Sequence, residues 1–492
     1  MDLKEVLKDV NIISKHCVGN IDIKGITADS RLVREGYCFI AVKGPNTDGH
    51  IFIKDALQRG AVVIIGELRS YAQEGSGYKI NNGIPYVEVK NSHDALVSIS
   101  KTFYSNPSES VRVIGVTGTN GKTTTVYLLE SILKAQGFCP GVIGTINYKI
   151  KDRIIPAINT TPGPVELQSL LALMRDEGCL YCCMEVSSHS LDQGRVEGIN
   201  FRCAIFTNLT QDHLDYHKTM ENYFRAKAKL FETLPINSSA VLNIDDECFE
   251  MLSKMTKAKI ITYGFDERAD IHPLDISYST SRTLGKIITP VGTIEIESRL
   301  AGRYNTYNIM GCIGAGICEG IKKQNIEQGI RLMGGIPGRL EPVENNLGIS
   351  IYVDYAHTDE ALKSVLQTLK EIKKHNRLIV VFGCGGDRDK TKRPKMGSVA
   401  SLNADYVVVT SDNPRTENPE SICRDIEKGM DSKSNYTIII DRREAIRFAL
   451  NNAKQGDIVL IAGKGHEKYQ IFKDTVVPFD DKQEAKEIAD SR

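Results

Sequence analysis

The chain has 492 residues, 41% hydrophobic and 25% charged, the composition of an ordinary soluble globular protein of about three domains. Its 62 basic and 62 acidic side chains cancel, so no basic field points to nucleic acid. The opening Met1-Asp-Leu-Lys-Glu-Val6 lacks the apolar core of a signal peptide and no run is long enough to span a bilayer, which makes the cytoplasm the expected compartment.

Up to about residue 100, short strands are expected at Tyr37 to Val42, Ala61 to Ile65 and Tyr86 to Val89, with helix at Asp55 to Arg59. The polar hinge Tyr104-Ser-Asn-Pro-Ser108 marks a boundary. Val111 to Val116 then reads as a buried strand, Gly118-Thr119-Asn120-Gly121-Lys122-Thr123-Thr124 as a glycine-rich turn, and Thr123 to Ala135 as a helix closed by Gly137. Loop amides in front of a positive helix N-terminus suit phosphate oxygens, with Lys122 as a point charge and the Thr123 hydroxyl as a Mg²⁺ ligand. The strict pattern asks for glycine at the position of Val116, and a bare G-T-x-G-K-T also fits an ordinary strand–turn–helix joint. Strand before, helix after and Lys-Thr-Thr at the junction favour ATP.

Tyr181 to Met184, Ala204 to Thr207 and Ala240 to Asn243 read as buried parallel strands, and Met333-Gly-Gly-Ile-Pro-Gly338 as a second boundary. Beyond it, strands are expected at Ile351 to Val353, Leu378 to Phe382, Tyr406 to Thr410, Thr437 to Ile440 and Ile458 to Ala462. This beta–alpha alternation implies an α/β protein with doubly wound sheets and ligands at the strands' carboxyl ends. The twelve cysteines read as reduced thiols, and Cys179 and Cys182, though C-x-x-C spaced, as small buried hydrophobes.

Glu185-Val-Ser-Ser-His189 and Asn208-Leu-Thr-Gln-Asp-His-Leu-Asp-Tyr-His217 both begin where a strand ends. A carboxylate and an imidazole beside a phosphate loop complete a magnesium shell, or are a solvated glutamate and a capping Asp-His pair. Arg225, Lys227 and Lys229 read as one charged, solvated helix face.

These segments, with Ala226-Lys227-Ala-Lys-Leu-Phe231, resemble the ATP-dependent Mur ligases of peptidoglycan synthesis. The resemblance is to the MurE type, which adds the third residue of the stem peptide. It runs through Asp29-Ser30-Arg31, Gly36 to Ala41, Gly44 and Asp48-Gly49-His50, then through Asp354-Tyr-Ala-His357, Gly383 to Arg388, Asp412 to Arg415 and Gly463 to Glu467. It implies three domains: a UDP-binding α/β domain (1–105), a central P-loop ATPase-like domain with a mostly parallel sheet (106–336), and a Rossmann-like amino-acid-binding domain (337–492).

By resemblance, Gly118 to Thr124 hold the ATP phosphates, and Thr123, Glu185 and His213 serve Mg²⁺. Lys227 matches a carbamylated lysine that supports a second Mg²⁺, and Lys122, Lys227 and His213 form the catalytic set. Asn305 and Asn308 fall on the adenine side, while Arg339 and Asp354 reach the nucleotide from the C-terminal domain. Ser30, Asn159, Thr160, Thr161, Ser187, Gln193 and Arg195 match positions for the UDP-linked dipeptide, UDP-N-acetylmuramoyl-L-Ala-D-Glu. Arg388, Asp412, Asn413, Pro414, Arg415, Gly463 and Glu467 match positions that recognise meso-diaminopimelate. The arginines face its distal carboxylate and Glu467 its ammonium. The expected protein is a monomer without membrane insertion. A lysine-adding ligase of the same subgroup and a non-catalytic nucleotide-binding regulator remain as alternatives.

Overall fold

The computed structural model describes residues 1–44, 47–67, 85–279, 282–373 and 375–492. Near the N-terminus, strands run in the order Ile12–His16, Tyr86–Val89, Ala61–Gly66, Tyr37–Ile40, Gly25–Thr27, parallel except for the first. The Asp48-Gly-His50 pattern is part of this scaffold. His50 Nε2 accepts the Glu67 backbone N–H at 2.8 Å, so Nδ1 carries the proton that it donates to Asp48.

The central sheet has eight strands, and the phosphate loop follows an interior one. Lys259–Tyr263, Ser239–Asn243, Phe201–Phe206, Arg112–Thr117, Tyr181–Glu185 and Pro140–Ile143 are parallel, and an antiparallel hairpin (Asn147–Ile150, Arg153–Pro156) closes the edge. These parallel strands are near-continuous apolar runs because helices cover both faces. Lys122–Ala135 and Arg303–Cys318 pack on one face with Ile114, Ile205 and Val241, while Pro164–Asp176 and Met220–Glu232 pack on the other with Val113, Ala204 and Leu242. Cys179 and Cys182 are buried in the second layer, as their apolar setting predicts. A three-stranded antiparallel sheet (His272–Tyr278, Thr283–Ile288, Ile294–Ser298) has no counterpart among the predicted elements.

The C-terminal sheet orders Glu341–Val343, Ser350–Asp354, Ile458–Ala462, Leu378–Phe382, Tyr406–Val409 and Tyr436–Ile438, parallel except for the first. The last strand lies slightly earlier than the expected Thr437 to Ile440. The chain leaves the sheet there because Asp441 caps the helix Arg442–Asn452, its side chain accepting from Glu444 N at 2.9 Å. A hairpin, Tyr469–Phe472 with Thr475–Pro478, lies against the loop after Tyr406–Val409. Among the described residues no helix is long and apolar enough to cross a membrane.

Candidate active site

Strand Arg112–Thr117 delivers the loop to the carboxyl edge of the central sheet, and Lys122 opens the helix behind it. Val116, where the strict pattern wants glycine, is a fully buried strand residue, so the loop proper starts at Gly118. A Cβ on Gly118 would stand 1.9 Å from Thr207 Oγ1, and one on Gly121 (φ +89°) 2.3 Å from Asn308 Oδ1. Only glycine permits both the backbone conformation and the close approach.

A cavity of about 490 Å³ opens over this loop. Thr119 to Thr124, Glu185, His213, Lys227, Asn305, Asn308, Arg339 and Asp354 all line it, so the nucleotide and metal candidates converge. Lys122 Nζ donates to Gly118 O at 2.9 Å and Thr119 O at 2.8 Å. Glu185, 1% exposed, accepts from Thr123 Oγ1 at 3.0 Å and from Thr145 N and Oγ1 at 2.8 and 3.0 Å. Arg339 Nη2 reaches Thr123 Oγ1 at 3.2 Å, with its guanidinium 4.5 Å from the Tyr355 ring centre. Asp354 accepts from Leu340 N and Ala356 N, which fixes the chain where it enters the C-terminal sheet. Asn305 Oδ1 accepts from Asn308 Nδ2 at 3.2 Å.

Lys227 overturns the reading of Arg225, Lys227 and Lys229 as one solvated face. It is 1% exposed, and its Nζ donates to Gly118 O at 2.7 Å. Residues two apart do not share a helix face; Lys227 lies instead in line with Tyr223, Phe224, Leu230 and Phe231, all buried. Burial, then the neighbouring charge of Lys122, pushes its amine well below the usual lysine range. His213 has positive φ (+55°), and burial pushes its imidazole down to about 3, so it is neutral at pH 7 and has a lone pair available. A carboxylate, a threonine hydroxyl and a neutral imidazole lining one cavity fit a divalent cation. Among the described residues no three His, Cys, Asp or Glu side chains form a metal cage on their own.

Most of the UDP-substrate candidates form one network. Thr161 Oγ1 donates to Glu185 O at 2.8 Å and accepts from Ser187 N at 3.1 Å. Arg195 reaches Thr161 O at 3.2 Å and Gln193 Oε1 at 2.6 Å, Thr160 meets Thr145, and Asn159 O accepts from Tyr148 Oη. Ser30 is apart from them, on a short 3₁₀ turn of the N-terminal segment.

Asp412 to Arg415 follow strand Tyr406–Val409, with Arg415 at φ +51°. The hairpin pins Arg415: its N donates to Ile471 O at 3.0 Å, and its O accepts from Lys473 N at 2.7 Å. Its Nη1 donates to Gly386 O at 2.7 Å, while Nε and Nη2 make no hydrogen bond among the described residues. Pro414 is buried against Gly386, where an added Cβ would stand 1.9 Å from Pro414 O. Gly463 N donates to Asp354 O at 3.0 Å, which ties the segment Gly463 to Glu467 to the wall of the cavity. Arg388 is exposed and donates to Asp387 O at 3.1 Å, and its side chain and that of Arg415 both lie beside Gly385. Glu467 Oε2 accepts from Asn413 Nδ2 at 2.8 Å and from Lys464 Nζ at 3.3 Å. Lys464, with no exposed surface, is a residue that sequence reasoning passed over; a lysine between two glycines carries no burial signal.

The phosphate loop and the oxygen-rich wall over it define a nucleotide-using α/β enzyme. Family models match in chain order: the Mur ligase family catalytic domain at 22–104, the Mur ligase middle domain at 116–316, and the Mur ligase glutamate ligase domain at 338–465. The chain is 42% identical to the UDP-N-acetylmuramoyl-L-alanyl-D-glutamate--2,6-diaminopimelate ligase of Geobacillus thermodenitrificans, covering 100% of both chains. It is 44% identical to the Clostridium tetani protein of that name, covering 99% of each. A solved structure of a ligase of that name is similar at TM-score 0.70 and 34% identity, over 100% of this chain and 99% of the other. The chain belongs to the Mur ligase family.

Proposed function

We propose that this chain is an ATP-dependent amide ligase of peptidoglycan precursor synthesis. It joins meso-2,6-diaminopimelate to the γ-carboxylate of the D-glutamate in UDP-N-acetylmuramoyl-L-Ala-D-Glu. The observation that carries this reading is the pairing of a phosphate loop backed by the half-buried Lys122 and the buried Lys227 with a loop whose Arg415 keeps Nε and Nη2 uncommitted among the described residues. Full-length relatives named for this activity support it. The positions of the three family-model matches support domains at 1–105, 106–336 and 337–492.

A carboxylate does not condense with an amine at neutral pH because oxide is a poor leaving group. The γ-carboxylate oxygen attacks the γ-phosphorus of ATP, ADP departs, and an acyl phosphate results. Lys122 exchanges its two carbonyl contacts for phosphate oxygens, and the amides of Gly118 to Thr124 neutralise developing charge. Mg²⁺, when bound, withdraws charge from the transferring phosphoryl group; Thr123, Glu185 and His213 would hold it, with Lys227 as a carbamate. Asn305 and Asn308 border the adenine, while Arg339 and Asp354 shape the nucleotide site from the C-terminal side. The neutral amine of diaminopimelate attacks the acyl carbon, phosphate leaves with the former carboxylate oxygen, and the new amide loses a proton.

Asn159, Thr160, Thr161, Ser187, Gln193 and Arg195 orient the dipeptide end of the UDP substrate, and Ser30 the nucleotide end. Asp412 to Arg415, Gly463 and Glu467 hold diaminopimelate, with Arg388 at the rim. All these residues come from one chain, so a monomer suffices, and the UDP-linked substrate places the reaction in the cytoplasm. The test is ADP release with UDP-N-acetylmuramoyl-L-Ala-D-Glu, comparing diaminopimelate with lysine. ADP release that needs neither amine, or that prefers lysine, overturns the assignment.

A further inference from the structure

We propose that Lys464 is a positioning residue for the acceptor amino acid, orienting the Asn413 amide and the Glu467 carboxylate to receive the ammonium at the distal centre. This deepens the ligase reading above and rests on it.

Lys464 has no exposed surface, and its Nζ lies 3.2 Å from Asn413 Oδ1 and 3.3 Å from Glu467 Oε2. An ammonium only donates, so the atom of Asn413 that faces it must be the oxygen. The Ile471 backbone N–H, 3.1 Å away, fixes the same oxygen from the hairpin side. The amide nitrogen is thereby turned to Glu467 Oε2, at 2.8 Å. Two donors therefore converge on Oε2, while Oε1 makes no hydrogen bond among the described residues and is left for an incoming cation. Burial, with Asp412 adding to it, pushes the Glu467 carboxyl up, and Lys464 is the cation that opposes the shift. Removing that charge takes away the cation paired with the Glu467 carboxylate and one of the two donors that hold the Asn413 oxygen. Lys464 thus acts on the substrate through its two neighbours.

The experiment measures steady-state ADP release by the full-length chain for wild type, Lys464→Met, Glu467→Gln and the double variant, with KM for each of the three substrates. Lys464→Met is expected to raise the KM for diaminopimelate by about tenfold or more, as for loss of a charge-assisted contact, and to leave the other two KM values within about twofold. Lysine carries the same distal ammonium, so its use falls in step. The double variant is expected to be no worse than Glu467→Gln alone. It has no unpaired buried charge at this pair, so the comparison with Glu467→Gln still decides if Lys464→Met fails to fold. A fall in kcat with unchanged diaminopimelate KM, a rise in all three KM values together, or a double variant clearly worse than Glu467→Gln overturns the positioning role. Wild-type ADP release that ignores diaminopimelate overturns the ligase reading itself, and this proposal with it.

Discussion

The side chains of Lys122 and Lys227 meet on one atom: both Nζ groups donate to the carbonyl oxygen of Gly118, at 2.9 and 2.7 Å. Two ammonium groups cannot share a buried carbonyl cheaply. Burial lowers both amines, and for Lys227 the charge of Lys122 adds to the effect. Lys227 is the more strongly lowered of the two, and the neutral form of an amine is the one that adds CO₂ and, on losing a proton, becomes a carbamate. Lys227→Ala should be nearly inactive and partly restored by a short added carboxylate such as acetate. A high-resolution density map showing a bare amine at Lys227 in an active, Mg²⁺-bound enzyme would contradict the carbamate.

Lys122→Ala tests the phosphate loop. Lys122 meets backbone carbonyls at the cavity wall, so its loss should abolish ADP formation while leaving the melting temperature nearly unchanged. Near-normal turnover in a folded variant would remove the ATP assignment.

Gly121→Ala probes the same loop from the backbone. At φ +89°, with the new Cβ 2.3 Å from Asn308 Oδ1, the substitution combines left-handed strain with a collision. A cost of about 1–3 kcal/mol is expected, with weaker ATP binding as Asn308 is displaced. Calorimetric melting and nucleotide titration measure the two effects; an unaltered ATP Kd would show that Asn308 is remote from the nucleotide.

Arg415→Ala should lower diaminopimelate use by about 30-fold or more, as for a buried carboxylate that loses its charged partner. Lysine has no carboxylate at that centre, so its poor use should change much less and the preference ratio should shrink. Equal loss for both amines would make Arg415 a structural residue only.

Glu417 sets an acid-side prediction. A hydrogen bond from Arg393 holds its carboxyl down at about 2, against the usual 4.5. A depressed carboxyl stabilises the fold above 4.5, and the contribution is lost as pH falls from 4.5 towards 2. Screening by solvent leaves on the order of 1 kcal/mol. Glu417→Gln should therefore be less stable than wild type at neutral pH and converge with it in acid. Urea unfolding across that range reads this, and a constant gap would mean that the carboxylate is not held by Arg393.

Local chemistry made much of the central sheet legible. Val113 to Val116 and Tyr181 to Met184 are short runs without a charged residue, leading into a glycine-rich turn and a carboxylate, and the structure has Arg112–Thr117 and Tyr181–Glu185 there. Lys122 and Thr123 could be placed because a strand–glycine–helix joint fixes where its first helical residues point. The resemblance supplied the acceptor and UDP-substrate residues, whose spacing by itself fits turns and caps equally well.

Tertiary structure alone decided the environment of each charge. Nothing local separates Lys227 from Arg225 and Lys229 except that its neighbours three and four residues away are apolar, and only packing against Gly118 makes that face the interior. Lys464 and Glu467 are three residues apart, yet the atom that completes their arrangement, Asn413 Oδ1, comes from a loop 51 residues earlier in the chain. Sequence specifies which groups are present and the local shape that carries them. Burial and partners depend on contacts between distant segments, and these set protonation, orientation and the atoms left free for substrate.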